Sequence, residues 1–304
     1  MTVVLSHKSA LKALLADRSV ANDARHCMPA DSRATCKELL TAQSRFNLGG
    51  KTLDVLMSGR DQRSFDPGLV QLHSPASLEG IPAFIKIDNT YIASPELCFV
   101  QIASSLSVID AILFGYYLCG DYRPTSIRQQ TGNQPLTSVD RLGQFIDLLP
   151  HMRGKRRAQR ALRYVVDNSN SPQESRLTIV IILPTRLGGF GLMRPKLNQP
   201  IPGTMKIGDL CWLEQGLILE YDSQENHAGN NQLNADSIRR AKIELADFHV
   251  ISVAPQQLKS LQCLNELGEL TARNLGADFR HRSSSFAQKQ RALHHALFLE
   301  QKKL

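Results

Sequence analysis

The chain has 304 residues, of which 42% are hydrophobic and 21% charged, a balance typical of a folded protein with one large or two ordinary domains. No apolar run approaches the roughly 20 residues that cross a bilayer, and the apolar stretch at the start is too short for a signal peptide. The six cysteines include no CxxC pair, which argues against a zinc site or a disulfide scaffold and favours a cytoplasmic protein.

The net charge of +8 lies entirely in the second half of the sequence. Residues 1–150 contain 14 Lys and Arg against 14 Asp and Glu, whereas residues 151–304 contain 22 against 14. A basic region of this kind favours a polyanionic partner, and DNA or RNA is the first candidate. Solubility alone is the other explanation of the same excess.

Residues 1–122 are predicted to form a small α+β domain that begins with a helix over 6–16. Three β-like runs follow, at 53–57, 69–73 and 84–92. Ser94, Pro95 and Glu96 are typical of a helix start, and the apolar positions after them predict a buried helical pair. The His, Cys and Asp residues of this part are isolated in the sequence and predict no catalytic cluster.

Residues 123–150 carry Pro and Gly at turn-forming positions and are predicted to be a linker. The segment RGKRRAQRALRYVV after it is predicted to be a helix with one apolar stripe and a basic face. This face is either simply solvated or a contact surface for phosphates. The candidate phosphate-binding residues on it are Arg153, Lys155, Arg156, Arg157 and Arg160.

Residues 151–304 are predicted to form a second, basic domain of mixed α/β structure. A helix begins at Ser171, which has the spacing of a capping box with Glu174. The glycine segment RLGGFGLMRP lacks the spacing of a nucleotide-binding loop and predicts a turn. Two strands are then predicted at 205–212 and 217–222, followed by a helix at 234–248 and a strand at 249–253. Two C-terminal helices are predicted at 255–276 and 285–303.

Three carboxylates, Asp209, Glu220 and Asp222, interrupt two of these apolar strands, and a buried carboxylate without a partner is costly. If the strands form a hairpin with 213–216 as its loop, Asp209 lies opposite Glu220, and Glu220 and Asp222 share a face. Like charges so placed repel unless a divalent cation, a basic side chain or a proton neutralises them. In the first case Asp209 and Glu220 would be the ligands of the cation, and the choice of this case rests on the family resemblance that follows.

In the order of these residues the chain resembles the PD-(D/E)XK nuclease superfamily, and within it the domain related to very-short-patch-repair endonucleases. That family has a helix with Glu, a strand with Asp, a strand with Glu, then a helix and a further strand. The resemblance covers about residues 165–255. The matching positions, which include the segments EYDSQENH and DSIR, are Glu174, Asp209, Glu220, Asp222, His227, Asp236 and Arg239.

The resemblance implies a restriction-endonuclease-like mixed sheet flanked by helices, and Mg²⁺- or Mn²⁺-dependent cleavage of DNA. Asp222 stands where the superfamily usually has Lys, as in the repair-like branch, and Ser223 stands where Gly is usual. A purely structural role is the alternative for Glu174 as a helix cap and for His227 as a solvated loop residue. The catalytic and phosphate-binding positions that it implies are Asp209, Glu220, Asp222, His227 and Glu174, with Arg239 and Arg240.

The first half resembles, more faintly, the regulatory antitoxins of abortive-infection systems, through the segment YIASPELCFVQIAS after a β-rich region. This likeness implies a phage-defence or mobile-element setting and a toxin or another defence-system partner. The sequence thus supports two functions. One is a DNA endonuclease, and the other is a non-catalytic, antitoxin-like transcriptional regulator that keeps a nuclease-like scaffold.

Overall fold

The computed structural model describes residues 2–29, 32, 34–49, 52–57, 68, 70–74, 78–121, 134–222, 248–277 and 284–299. The chain divides into two compact units, Met1–Val165 and Val166–Leu304, which we call the N-terminal and C-terminal units. Each unit combines helices with a mixed sheet, so the chain is α+β, as predicted. Within the described ranges, no helix has both the length and the apolar character that crossing a bilayer requires.

A six-stranded sheet forms the centre of the N-terminal unit. Its strands are β1 (Val3–Leu5), β2 (Arg25–His26), β3 (Leu53–Leu56), β4 (Val70–His73), β5 (Phe84–Ile87) and β6 (Thr90–Ala93). They lie side by side in the order β2-β5-β6-β1-β3-β4. Strand β1 runs parallel to β6 and antiparallel to β3, while β3 runs parallel to β4. The predicted run at 84–92 is therefore a hairpin, which turns at Asp88 with a φ of +49°.

The helices of this unit confirm the predicted start and the buried helical pair. They are α1 (His7–Ala16), α2 (Cys36–Arg45), α3 (Pro95–Ala103), α4 (Val108–Cys119), α5 (Val139–Leu148) and α6 (Lys155–Leu162), with a 3-10 turn at Ser19–Asn22. The Oγ of Ser94 accepts a hydrogen bond from the N–H of Leu97 at 3.2 Å, and Pro95 is the first helical residue. Every residue of α3 is buried.

The boundary between the units differs from the predicted one. Part of the expected linker is helix α5, and the basic helix α6 belongs to the N-terminal unit rather than to the second domain. The reason is packing, because α6 buries Ala158 and Ala161 and lies against α3, α4 and α5. Turn residues and a change in charge mark a boundary only when no such packing crosses it. The segment 123–133 lies outside the described residues.

A four-stranded sheet forms the centre of the C-terminal unit. Its strands are β7 (Lys196–Pro200), β8 (Ile207–Trp212), β9 (Leu217–Tyr221) and β10 (His249–Val253). They lie in the order β10-β9-β8-β7, with β10 parallel to β9 and the other neighbours antiparallel. The helices are α7 (Pro172–Ile182), α8 (Pro255–Lys259), α9 (Leu261–Asn274) and α10 (Ser284–His294), with 3-10 turns at Thr185–Leu187 and Leu213–Gln215 and a π-helical turn at His295–Leu299. The sequence did not predict β7, and the predicted helix at 234–248 lies outside the described residues apart from Phe248.

The predicted hairpin register is confirmed along the formed ladder, where Leu210 pairs with Leu219 and Trp212 with Leu217. A 3-10 turn fills the loop, and Gly216 closes it with a φ of +63°, a conformation that glycine adopts without steric cost. The glycine segment is also a turn, as predicted. Gly188 has a φ of +91°, and a Cβ there would lie 2.5 Å from the carbonyl oxygen of Lys289.

Candidate active site

Asp209 and Glu220 lie in adjacent strands, just beyond the end of the paired part of the β8–β9 hairpin. The ladder ends at the pair formed by Leu210 and Leu219, and the two carboxylates are the next residues in the two strands. Strand β8 is irregular there, because the thiol of Cys211 donates to the carbonyl oxygen of Gly208 at 3.2 Å, a contact that a regular strand does not allow. Both carboxylates are partly buried. The hairpin thus brings into neighbouring strands two acidic groups that are eleven positions apart in sequence.

Polar residues of the outer strands flank the two carboxylates in the register of the sheet. Ser252 in β10 pairs with Glu220. On the other side, the β7–β8 register puts Asn198 opposite Asp209, between the pairs formed by the flanking residues. The aligned positions in the four strands are therefore Asn198, Asp209, Glu220 and Ser252, which we call the polar row. Asn198 has a φ of +51°, a left-handed conformation that asparagine tolerates better than most residues.

A small apolar cluster borders the polar row. Its buried members are Cys211, Ile218 and Ile201, and its partly buried members are Leu213, Phe248 and Val250. Burial, with smaller contributions from the negative charges of Asp209 and Glu220, raises the pKa of the Cys211 thiol to about 11. The same two carboxylates therefore lie close enough to act electrostatically on one thiol.

The carboxylate of Asp209 is oriented by the main chain of the neighbouring strand. Its Oδ2 accepts a hydrogen bond from the N–H of Tyr221 at 2.7 Å, just beyond the last paired residues of β8 and β9. A fixed carboxylate on a strand is a better ion ligand than one that must be ordered first.

Glu174 makes the contacts of a helix cap. The Oγ of Ser171 accepts a hydrogen bond from the N–H of Glu174 at 3.1 Å, as the predicted capping spacing requires. The buried carboxylate accepts hydrogen bonds from the N–H of Asn170 at 2.9 Å and from the Nδ2 of Asn198 at 2.8 Å. Glu174 therefore joins the start of α7 to β7, beside the residue opposite Asp209. These bonds favour the structural interpretation of Glu174 and connect it to the polar row.

Asp222 is the other predicted catalytic residue that the structure describes. Asp222 is exposed just after β9, and its N–H donates to the carbonyl oxygen of Val253 at 3.0 Å. Among the described residues, Asp209, Glu220 and Asp222 do not form a group in which three ligand atoms lie within 4.8 Å of one another. A pair formed by Asp209 and Glu220 therefore remains the predicted metal site. His227, Arg239 and Arg240 lie outside the described residues.

The basic helix α6 uses part of its charge to hold its own unit together. The Nη1 of Arg157 donates to the carbonyl oxygens of Ala103, Ser104 and Leu106, at the end of α3. The Nζ of Lys155 donates to the carbonyl oxygen of Leu149. Cations near a helix C-terminus are favoured there by the helix dipole. Arg156 and Arg160 are also exposed predicted phosphate contacts on α6. Among the residues that the structure describes, neither has a main-chain partner of this kind.

Comparisons of the chain with protein-family models, with curated proteins and with solved structures find no match. The geometry of the chain itself therefore carries the functional argument. Two features that the sequence did not predict contribute to it, namely strand β7 with Asn198 and the pairing of Ser252 with Glu220. The Asn in KLNQP was the available signal for Asn198, because Asn often marks a left-handed position.

Proposed function

We propose that the C-terminal unit is a metal-dependent DNA endonuclease domain with a restriction-endonuclease-like fold. The observation that supports this proposal is the placement of Asp209 and Glu220 at the end of one hairpin, close enough for both charges to act on the thiol of Cys211. Like charges near each other in adjacent strands repel. A hard divalent cation removes such repulsion and is the ion that carboxylate oxygens bind best. Mg²⁺ or Mn²⁺ is the cofactor that we propose.

The residues of the site fit such an ion and divide into ligands and supports. When bound, Mg²⁺ supplies polarisation of a phosphodiester and a lower pKa for a bound water. Asp209 and Glu220 provide the charged oxygen ligands, and the N–H of Tyr221 holds the Asp209 carboxylate in place. His227 is the candidate general base or acid, and Asp222 is a further candidate at the end of β9.

Incubation of the full chain with plasmid DNA tests this proposal directly. We expect cleavage in the presence of Mg²⁺ or Mn²⁺ and none in the presence of EDTA. Calorimetric titration with Mg²⁺ should show saturable binding, and the ion should raise the melting temperature, because a ligand that binds only the folded state stabilises it. A chain that neither binds Mg²⁺ nor cleaves any form of DNA with it would contradict the proposal.

The exposed arginines of α6 are the DNA-binding residues that we propose in the N-terminal unit. Arg156 and Arg160 are one helical turn apart and therefore share a face. Replacing both with Ala should weaken DNA binding, and the slope of log K against log[salt] should fall by up to about 0.9 for each phosphate that is no longer neutralised. Electrophoretic mobility shifts at several salt concentrations measure this slope.

Arg157→Ala is the matched comparison for that double variant. Its guanidinium is bonded to carbonyl oxygens of the same unit, so the substitution should lower the free energy of unfolding by about 1 kcal/mol. Its effect on the salt slope should be smaller than that of the double variant. Equal salt slopes in the wild type and in the Arg156→Ala/Arg160→Ala protein would place the DNA surface elsewhere.

The distribution of charge between the units supports the regulator as the second candidate function. Met1–Val165 contains 20 Lys and Arg against 14 Asp and Glu, whereas Val166–Leu304 contains 16 against 14. Most of the positive excess is thus outside the unit with the candidate active site. A non-catalytic regulator could bind DNA through the N-terminal unit and a toxin or other defence-system partner elsewhere. DNA binding without metal-dependent cleavage would favour this second function.

A further inference from the structure

Three side chains that are typical metal ligands meet in the N-terminal unit, namely His7, Asp54 and His73. One ring nitrogen of each histidine and one carboxylate oxygen lie within 4.8 Å of one another. His7 begins α1 directly after β1, Asp54 lies in β3 and His73 ends β4. These three strands are neighbours in the sheet. The residues are isolated in the sequence, and strand pairing brings them together.

Asp54 and His73 already have a spacing close to that of two ligands of one ion. The Nε2 of His73 lies 3.0 Å from the Oδ1 of Asp54, and both side chains are mostly buried. Two bonds of about 2.0–2.1 Å that meet near the tetrahedral angle span roughly 3.4 Å. An ion could therefore replace the hydrogen-bonding proton if the two atoms moved apart by about 0.4 Å.

The main chain at His7 is held in an unusual conformation. Its φ is +45°, a region that few residues other than Gly occupy, although Asn, Asp and His are found there more often than the rest. The N–H of His7 donates to the Oε1 of Gln101 at 2.9 Å, and its carbonyl oxygen accepts from the thiol of Cys98 at 3.6 Å. Such a conformation persists only where the surroundings determine it, and it is most frequent at functional sites.

The ring of His7 is oriented by its neighbours in the way that ligating histidines usually are. Ser6 occupies the N-cap position of α1 but makes no cap hydrogen bond with its side chain, and its Oγ instead lies 3.0 Å from the Nδ1 of His7. A polar partner on one ring nitrogen directs the other nitrogen to a metal. The His7 and His73 rings stack with centroids 3.7 Å apart and planes 23° from parallel. Because an ion lies in the plane of each imidazole that binds it, the two rings have to tilt apart before both can bind the same ion.

We propose that His7, Asp54 and His73 bind one divalent transition-metal ion, for which Zn²⁺ is the best match, with water or a ligand in a fourth position. Imidazole nitrogens suit Zn²⁺ and its neighbours in the periodic table, whereas Mg²⁺ prefers oxygen ligands alone. Three protein ligands leave a coordination position open. The third ligand atom, on His7, distinguishes this group from a simple hydrogen bond between Asp54 and His73. The site is independent of Asp209 and Glu220 and of the function proposed for them.

Titration of the full, metal-free chain with Zn²⁺ and Co²⁺ tests the site. We expect one ion per chain. Each of His7→Asn, Asp54→Asn and His73→Gln should lower the affinity at least about 100-fold. The reason is that replacing a residue that only contacts a metal ligand already lowers metal affinity about 10–100-fold. Asparagine tolerates the positive φ of His7. The hydrogen bonds of Asp54 with Ser6 and Ser9 use its main-chain atoms, so Asp54→Asn keeps them.

Two control variants exclude other donors. His151→Asn removes an exposed histidine of the same unit, and a Cys27→Ser/Cys36→Ser double variant removes the exposed thiols. Both controls should bind Zn²⁺ as the wild type does, and the Co²⁺ complex should show no thiolate charge-transfer band.

The imidazole resonances of the wild type give a readout that does not depend on any variant folding. Zn²⁺ should shift the signals of His7 and His73 together, at one equivalent of ion. Unshifted signals, or Zn²⁺ affinity that survives every folded ligand variant, would overturn the proposal. Asp209→Asn should still bind Zn²⁺, which separates this result from that of the Mg²⁺ experiments.

Discussion

Asp209→Asn is expected to lower the rate of Mg²⁺-dependent DNA cleavage at least about 100-fold. Replacing a residue that only contacts a metal ligand usually lowers activity by less than this. The substitution removes a charged ligand from the proposed ion but keeps the size of the side chain. The Asn oxygen can still accept the hydrogen bond from the N–H of Tyr221, so the end of the hairpin should persist. DNA binding should therefore remain, as gel shifts in EDTA would show.

Glu214→Gln is the matched control, because Glu214 is an exposed carboxylate in the turn of the same hairpin. It should cleave DNA at the wild-type rate and keep the full rise in melting temperature with Mg²⁺. Asp209→Asn should lose most of that rise. If Asp209→Asn cleaves normally, or if Mg²⁺ stabilises it as much as it stabilises the wild type, Asp209 is not a metal ligand.

Glu96→Gln should lower the free energy of unfolding by about 3 kcal/mol, the lower end of what breaking a buried ion pair costs. The Glu96 side chain is 5% exposed and lies 3.3 Å from Arg25 and 3.2 Å from Arg141. It also accepts a hydrogen bond from the Oγ1 of Thr137 at 2.7 Å. Removing the charge leaves the mostly buried guanidinium of Arg25 without its main counter-charge. Arg141 is 38% exposed, so water compensates for part of its lost ion pair, and this limits the loss in the free energy of unfolding.

Urea unfolding followed by circular dichroism measures this loss. Thr137→Val removes only the hydrogen bond, so its cost should be smaller, about 1.5–3 kcal/mol for a bond to a charged group. Glu79→Gln, which changes an exposed carboxylate of the same unit, should remain within about 0.5 kcal/mol of the wild type. A Glu96→Gln protein as stable as that control would show that the two arginines do not depend on Glu96.

Local patterns in the sequence determined the elements that lie close together along the chain. The serine caps at Ser94 and Ser171 follow from the donors that every helix start leaves unpaired. The β8–β9 register follows from a short loop and from the alternation of side chains along a strand. Because both rules act within about fifteen residues, the hairpin that brings Asp209 and Glu220 into adjacent strands could be predicted without a structure.

Only the tertiary structure decided which distant residues meet. The basic helix α6 looked like part of the second domain, but its packing against α3 and α4 puts it in the first, and Arg157 binds carbonyl oxygens there. His7, Asp54 and His73 looked isolated until the order of β1, β3 and β4 placed them together. The physical reason is that the neighbours of a strand are chosen by burial over the whole sheet, and spacing along the chain carries little information about that choice.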